Sequence, residues 1–190
     1  NKLQNDVVSI CKESDRFFYM FQDLSAKFYA ISDRRYNHIN IEILIKNEIR
    51  FLDFYLDFKH EIKKTIKTMS ALPYIYGIQS DYSYCFSALF RDSMARMKKS
   101  SRKELFLEAD YRNNMITVLL QYTGEKIVNP DDNTASDSVT SSANSFNHLA
   151  FVKMLFKENG VNCVFEARED MNRVTIEIPV HKEKSAQCET

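Results

Sequence analysis

The chain has 190 residues, 44% hydrophobic and 27% charged, a composition that supports a packed core and excludes intrinsic disorder. Its 26 basic residues balance 26 acidic ones, so no global positive field exists to hold a phosphate backbone or an anionic membrane, and nucleic acid is not an expected partner. Cys11, Cys85, Cys163 and Cys188 are scattered, with no C-x-x-C and no His at ligand spacing, which excludes a zinc site and a disulfide framework and leaves reduced thiols.

No apolar run approaches the roughly 18 residues of a membrane span, and the opening lacks the charged-then-apolar order of a signal peptide. The expected address is the cytoplasm. Because it does not begin with Met, the chain also fits the cytoplasmic part of a longer sensor.

All three glycines and all three prolines lie beyond residue 72, which leaves a long opening stretch without strong helix breakers. Val7, Val8, Ile10, Cys11, Phe17, Phe18, Phe21, Leu24, Phe28 and Ile31 recur at helical spacing. A second series runs through Ile41, Leu44, Ile45, Ile49, Leu52, Tyr55, Leu56, Ile62, Ile66 and Met69. The polar residues 32–38 lie between the two. The pattern predicts an antiparallel helical hairpin over residues 1–72 whose apolar stripe is wider than one partner helix can cover. Two hairpins are therefore expected to pair as a four-helix bundle, giving a homodimer.

From Pro73 the character changes. A helix is predicted over 81–99, ending in the basic residues Arg96 to Lys99, which with Arg102 and Lys103 read as a solvated helix end. The period then falls to two, predicting strands over 104–109 and 114–122 joined by a turn at Arg112-Asn113-Asn114. The polar stretch 129–142 reads as a loop. A helix over 146–158, a turn at Asn159-Gly160, a strand over 162–167, a turn near 170–172, a strand over 173–180 and a tail over 181–190 complete the chain. This order predicts an α+β chain: the hairpin domain, then an α/β sandwich over 73–180 with helices on one face of a mixed sheet.

The last part carries a closer likeness. Leu149, Ala150, Val152, Lys153, Leu155, the Glu158-Asn159-Gly160 turn, Glu166, Thr175 and Ile178-Pro179 fall, without a gap, where the catalytic domain of bacterial sensor histidine kinases has them. The segment 75–180 thus resembles the GHKL ATPase superfamily. LFRDSM resembles its N box, with Asp92 at the asparagine that holds magnesium and the triphosphate. LQYTGEKI resembles its first glycine box: Tyr122 stands where an aspartate reads the adenine amino group, Gly124 matches, and Lys126 replaces a second glycine. The other glycine box would lie at 144–148, which contains no glycine. In that family the preceding hairpin dimerises and carries the phosphoacceptor histidine.

These departures have chemical consequences. An adenine site needs a buried carboxylate, which Tyr122 lacks, and glycines that let the chain approach phosphates. Asp92 puts negative charge where a neutral amide would meet a triphosphate. The resemblance therefore implies a vestigial nucleotide pocket at Asp92, Tyr122, Gly124 and Lys126, with no cofactor expected and ATP with magnesium only if that pocket still binds.

Two histidines are candidate phosphoacceptors, since the role needs a neutral ring nitrogen on an exposed helix face. His38 lies in Asp33-Arg34-Arg35-Tyr36-Asn37-His38-Ile39, similar to the H box of one kinase subgroup, where Asp33 takes the acceptor position. His60 lies in Lys59-His60-Glu61 on the expected second helix. Three functions follow from the resemblance. The first is a degenerate kinase core in two-component signalling that binds a receiver domain or a true histidine kinase. The others are a phosphorelay phosphotransferase using a hairpin His, and an active histidine kinase with divergent boxes.

Overall fold

The computed structural model describes residues 34–68, 72–127 and 142–180, without the side chains of Thr68 and 142–147, together with a few isolated positions before residue 26. Apart from those isolated positions, the expected first arm of the hairpin lies outside the described residues, as do the loop at 129–142 up to Ser141, the tail, Cys11 and Cys188.

The chain order is β1 (Tyr36–Ile39), α1 (Ile41–Leu52), α2 (Leu56–His60), β2 (Lys63–Thr68), β3 (Ile75–Ile78), α3 (Gln79–Met97), β4 (Glu104–Arg112), β5 (Met115–Thr123), α4 (Ser142–Glu158), β6 (Asn162–Arg168) and β7 (Met171–Pro179). Five strands form one mixed sheet in the order β2-β4-β5-β7-β6, and β1 pairs with β3 in a separate two-stranded ribbon. The pair β2–β4 is parallel; the other pairs in the larger sheet are antiparallel.

Period-two patterning builds that sheet. Leu105, Leu107 and Ala109 on β4, Ile116, Val118, Leu120 and Tyr122 on β5, and Val174, Ile176 and Ile178 on β7 are buried, while their neighbours, apart from the buried Thr123, are partly exposed. The β4–β5 hairpin closes at Asn113 (φ 52°) and Asn114 (φ 59°), the left-handed pair that a two-residue turn of matching twist requires and that Asn tolerates. The predicted turn is therefore present; the strand before it runs on to Arg112, and the strand after it is shifted by one residue.

Helix α3 is the centre of the helical layer. Its buried residues include Tyr82, Phe86, Leu89, Phe90 and Met97, with Ser80, Ser83, Ser87 and Ser93 between them, so it is buried around most of its circumference. The small serines let neighbouring helices approach, and Ser83 Oγ donates to the buried Glu48 on α1 at 2.5 Å. Helix α4 packs on α3 through Phe156, whose ring meets Tyr82 and Phe86 edge-on. It ends at Gly160 (φ 70°), where the amide of Val161 bonds back to the carbonyl of Phe156 at 2.8 Å.

The expected second hairpin helix is corrected beyond Leu52. Ile41, Leu44, Ile45, Ile49 and Leu52 are buried on α1 as the periodicity required, and Asn40 caps it by accepting from the amide of Ile43 at 3.0 Å. Past that point Tyr55, Leu56 and Ile66 are exposed, and Lys63–Thr68 forms a strand along the edge of β4. The apolar spacing of Ile62, Ile66 and Met69 fits a helix, but the unpaired backbone edge of β4 captures a stretch containing the β-branched Thr65 and Ile66. Likewise Tyr36–Ile39, expected as loop, pairs with β3. The sheet pairings thus cross the expected boundary between residues 72 and 73 in both places.

Two free thiols sit in the core. Burial pushes the Cys163 thiol from its ordinary 9.0 up to about 12, and pushes Cys85 up as well. A raised folded-state value means stability is fully present below the unfolded value and is lost as pH climbs between the two. Urea midpoints are therefore expected to fall between about pH 8 and about pH 10.5, beyond the ordinary thiol value. An unchanged midpoint would contradict burial of the two thiols.

Candidate functional site

The residues that the sequence singles out as a nucleotide pocket converge around a side chain that sequence reasoning assigned to solvent. Asp92 and Arg96 stand one turn apart on α3, and the Arg96 Nε donates to Asp92 Oδ2 at 2.6 Å. Their side chains are only 8% and 12% exposed, so this is an interior ion pair. The correction concerns Arg96, which is not part of a solvated helix end. Its spacing of four from Asp92 was the available signal.

Tyr122, near the end of β5, places its ring wholly inside, and its hydroxyl donates to the same Asp92 oxygen at 3.3 Å. Burial raises the phenol well above its usual value and the Asp92 carboxylate adds to it, so Tyr122 stays a protonated donor. For Arg96, burial alone would lower the guanidinium, but the hydrogen bond and charge of Asp92 outweigh it and the net shift is upward.

The turn after β5 is tied into the same cluster. Arg96 Nη1 donates to the carbonyl of Lys126 at 2.7 Å, and the amide of Glu125 donates to the carbonyl of Arg96 at 3.2 Å. From the other side the buried Asn172 on β7 accepts from the amide of Ile127 at 2.7 Å and donates to the carbonyl of Glu125 at 3.0 Å. Thr123 donates to the carbonyl of Arg102 at 2.6 Å and accepts from the amide of Glu104 at 3.0 Å. Asn172 was missed by sequence reading, since a lone Asn in a strand gives no signal of the two bonds it makes.

Gly124 has φ 115°, and a Cβ there would lie 2.5 Å from the Arg96 carbonyl oxygen. Its conformation is needed for contact with α3. The side chain of Lys126 is exposed, and only its backbone joins the cluster.

The candidate phosphoacceptors lie apart from this cluster and from any long helix. His38 is on strand β1, exposed, with its ring edge-on to Tyr76 at 5.6 Å between centroids. His60 is the last residue of the five-residue α2 and is also exposed. Of the second glycine-box region, His148 is described: it stacks on Tyr84, with Nδ1 3.3 Å from the tyrosine oxygen. Among the described residues no group of three His, Cys, Asp or Glu side chains is placed to hold a metal. No helix among them is long and apolar enough to cross a membrane.

No protein-family model matches the sequence, and none of the curated proteins matches it either. Solved structures do. The catalytic domain of the histidine kinase ThkA, in a nucleotide-free form, superposes with a TM-score of 0.62 over 76% of this chain and 95% of its own, at 14% identity. This chain has the fold of a histidine-kinase core. The Acinetobacter baumannii histidine kinase AdeS matches 92% of the chain and 83% of its own length, with a TM-score of 0.61 and 12% identity. ThkA in complex with the response regulator protein TrrA matches 92% of the chain and 50% of its own, with a TM-score of 0.60 and 15% identity. The sheet and helical layer seen here are thus those of histidine-kinase catalytic domains in fold, and within them Tyr122, Asp92 and Arg96 bond to one another.

Proposed function

We propose that this chain is a regulatory protein of two-component signalling, a histidine-kinase core that has lost nucleotide binding and acts by binding a receiver domain or a true kinase. The observation that carries the reading is the closed arrangement of Tyr122, Asp92 and Arg96. Magnesium would have to displace a guanidinium from the carboxylate it shares with Tyr122, and that guanidinium is itself shielded from water. Adenine would meet a phenol turned toward Asp92 where it needs a carboxylate. These residues do not fit a magnesium nucleotide.

The partner class is supported by the match to ThkA in its complex with a response regulator. Dimerisation through the segment ahead of residue 34 is supported by the apolar periodicity of residues 7–31. The histidine phosphotransferase reading has less support, because His38 and His60 stand on a strand and on a short helix.

Thermal melting with magnesium and ATP tests the nucleotide half. A ligand present at 100 times its Kd stabilises by about 2.7 kcal/mol, which for a chain of this size moves Tm by roughly 5–10 °C. No shift is expected at millimolar ATP; a shift of that size would overturn the reading.

A further inference from the structure

A cavity of about 300 Å³ opens on the other flank of α3, between that helix, α2 and the start of β4. It goes beyond the signalling reading, because none of Asp92, Tyr122, Gly124, Lys126 or Asn172 lines it. Its floor is apolar: Ile62 and Met97 are buried there, with Met94 beside them and the Tyr55 ring at the rim. Methionine is unbranched and polarisable, so a floor built from Met94 and Met97 adapts to flat or irregular apolar groups.

The rim is charged, and the charges are unequal. Three cations, Arg91, Lys98 and Lys103, face two carboxylates, Asp57 and Glu61. Lys103 is bonded to Glu61, which removes that pair from the count. Arg91 and Lys98 then outnumber Asp57. Arg91 follows Ser87 by one turn and donates to its hydroxyl at 3.3 Å, which orients the guanidinium along α3. A planar guanidinium held in this way matches a carboxylate or sulfonate better than a lysine does.

We propose that this cavity is a binding site for a small amphipathic anion: an apolar, preferably aromatic, body on Met94, Met97 and Ile62, with an acid group toward Arg91 and Lys98. The volume suits a compact ligand, and an apolar floor with a few polar groups at the rim is the usual form of such sites. Because α3 also carries Asp92 and Arg96, occupancy would bear on the helix at the centre of the fold.

The test uses the full chain with 13C-methyl-labelled methionine and 2-naphthoate as the probe. Saturable shifts of the Met94 and Met97 methyl signals are expected, with the other methionines unmoved. Arg91→Gln combined with Lys98→Gln changes only exposed side chains and is expected to weaken naphthoate at least tenfold, while leaving the weaker binding of 2-naphthalenemethanol unchanged. Three results would overturn the site: no shift of either methyl at millimolar naphthoate, equal affinity in the double variant, or equal shifts with inorganic phosphate alone. Melting of the double variant checks that its fold is intact, and magnesium ATP added to the naphthoate complex is expected to leave the spectra unchanged.

Discussion

Gly124→Ala is expected to lower stability by about 3–5 kcal/mol and Tm by roughly 10 °C or more. Two costs combine. A φ of 115° is open to glycine but strained for any residue with a Cβ, and the added carbon would lie 2.5 Å from Arg96 O and 2.8 Å from its carbonyl carbon. Both are backbone atoms of α3, and the amide of Glu125 is already bonded to that same carbonyl, so neither partner can yield. Gly160→Ala is the control: its φ of 70° is also positive, but nothing lies within 4 Å of the added carbon, and the loss should be about 1 kcal/mol. Urea denaturation of both variants decides it. If Gly124 served only a nucleotide, its replacement would leave the chain as stable as Gly160→Ala does.

That contrast shows what the sequence could and could not convey. Gly124 was singled out by the resemblance, but its structural reason was not legible, because the contact with Arg96 joins positions 28 residues apart. The sandwich from residue 81 onward was readable because its strands alternate and its turns carry their own chemistry, as Asn113-Asn114 does, whereas the strand Ile75–Ile78 was not read. The region between Leu52 and Pro73 was not readable. There the spacing of Ile62, Ile66 and Met69 agrees with a helix, while the strand depends on an edge that β4, far along the chain, offers to Lys63–Thr68. At the site, Tyr122 was legible only as a departure from the resemblance. What it does in the fold required Asp92 and Arg96 in three dimensions, and the role of Asn172 left no trace in composition or period.

The Asp92–Arg96 pair should behave as an interior ion pair, and a mutant cycle gives the second large effect. Asp92→Ala takes from a shielded guanidinium the carboxylate that balances its charge, and removes the acceptor of Tyr122. The expected cost is about 3–5 kcal/mol, the range for breaking one side of a buried pair. Arg96→Met is expected to cost about as much, because it strands the carboxylate and frees the Lys126 carbonyl. The double variant Asp92→Ala with Arg96→Met removes both charges together, so it should lose much less than the sum of the single variants, by at least 2 kcal/mol. Single losses below about 1 kcal/mol would place the pair among screened surface contacts and remove the basis for a closed site. Asp92→Asn separates charge from shape, since it keeps the side chain's size and introduces the neutral amide that the sequence resemblance implies at this position. It should destabilise by about 2 kcal/mol, because the neutral amide no longer balances Arg96. It should also gain no thermal shift with magnesium ATP, because Tyr122 still occupies the interior beside it. A gain of nucleotide binding in Asp92→Asn alone would mean that the carboxylate, and not the buried tyrosine, is what keeps the nucleotide out.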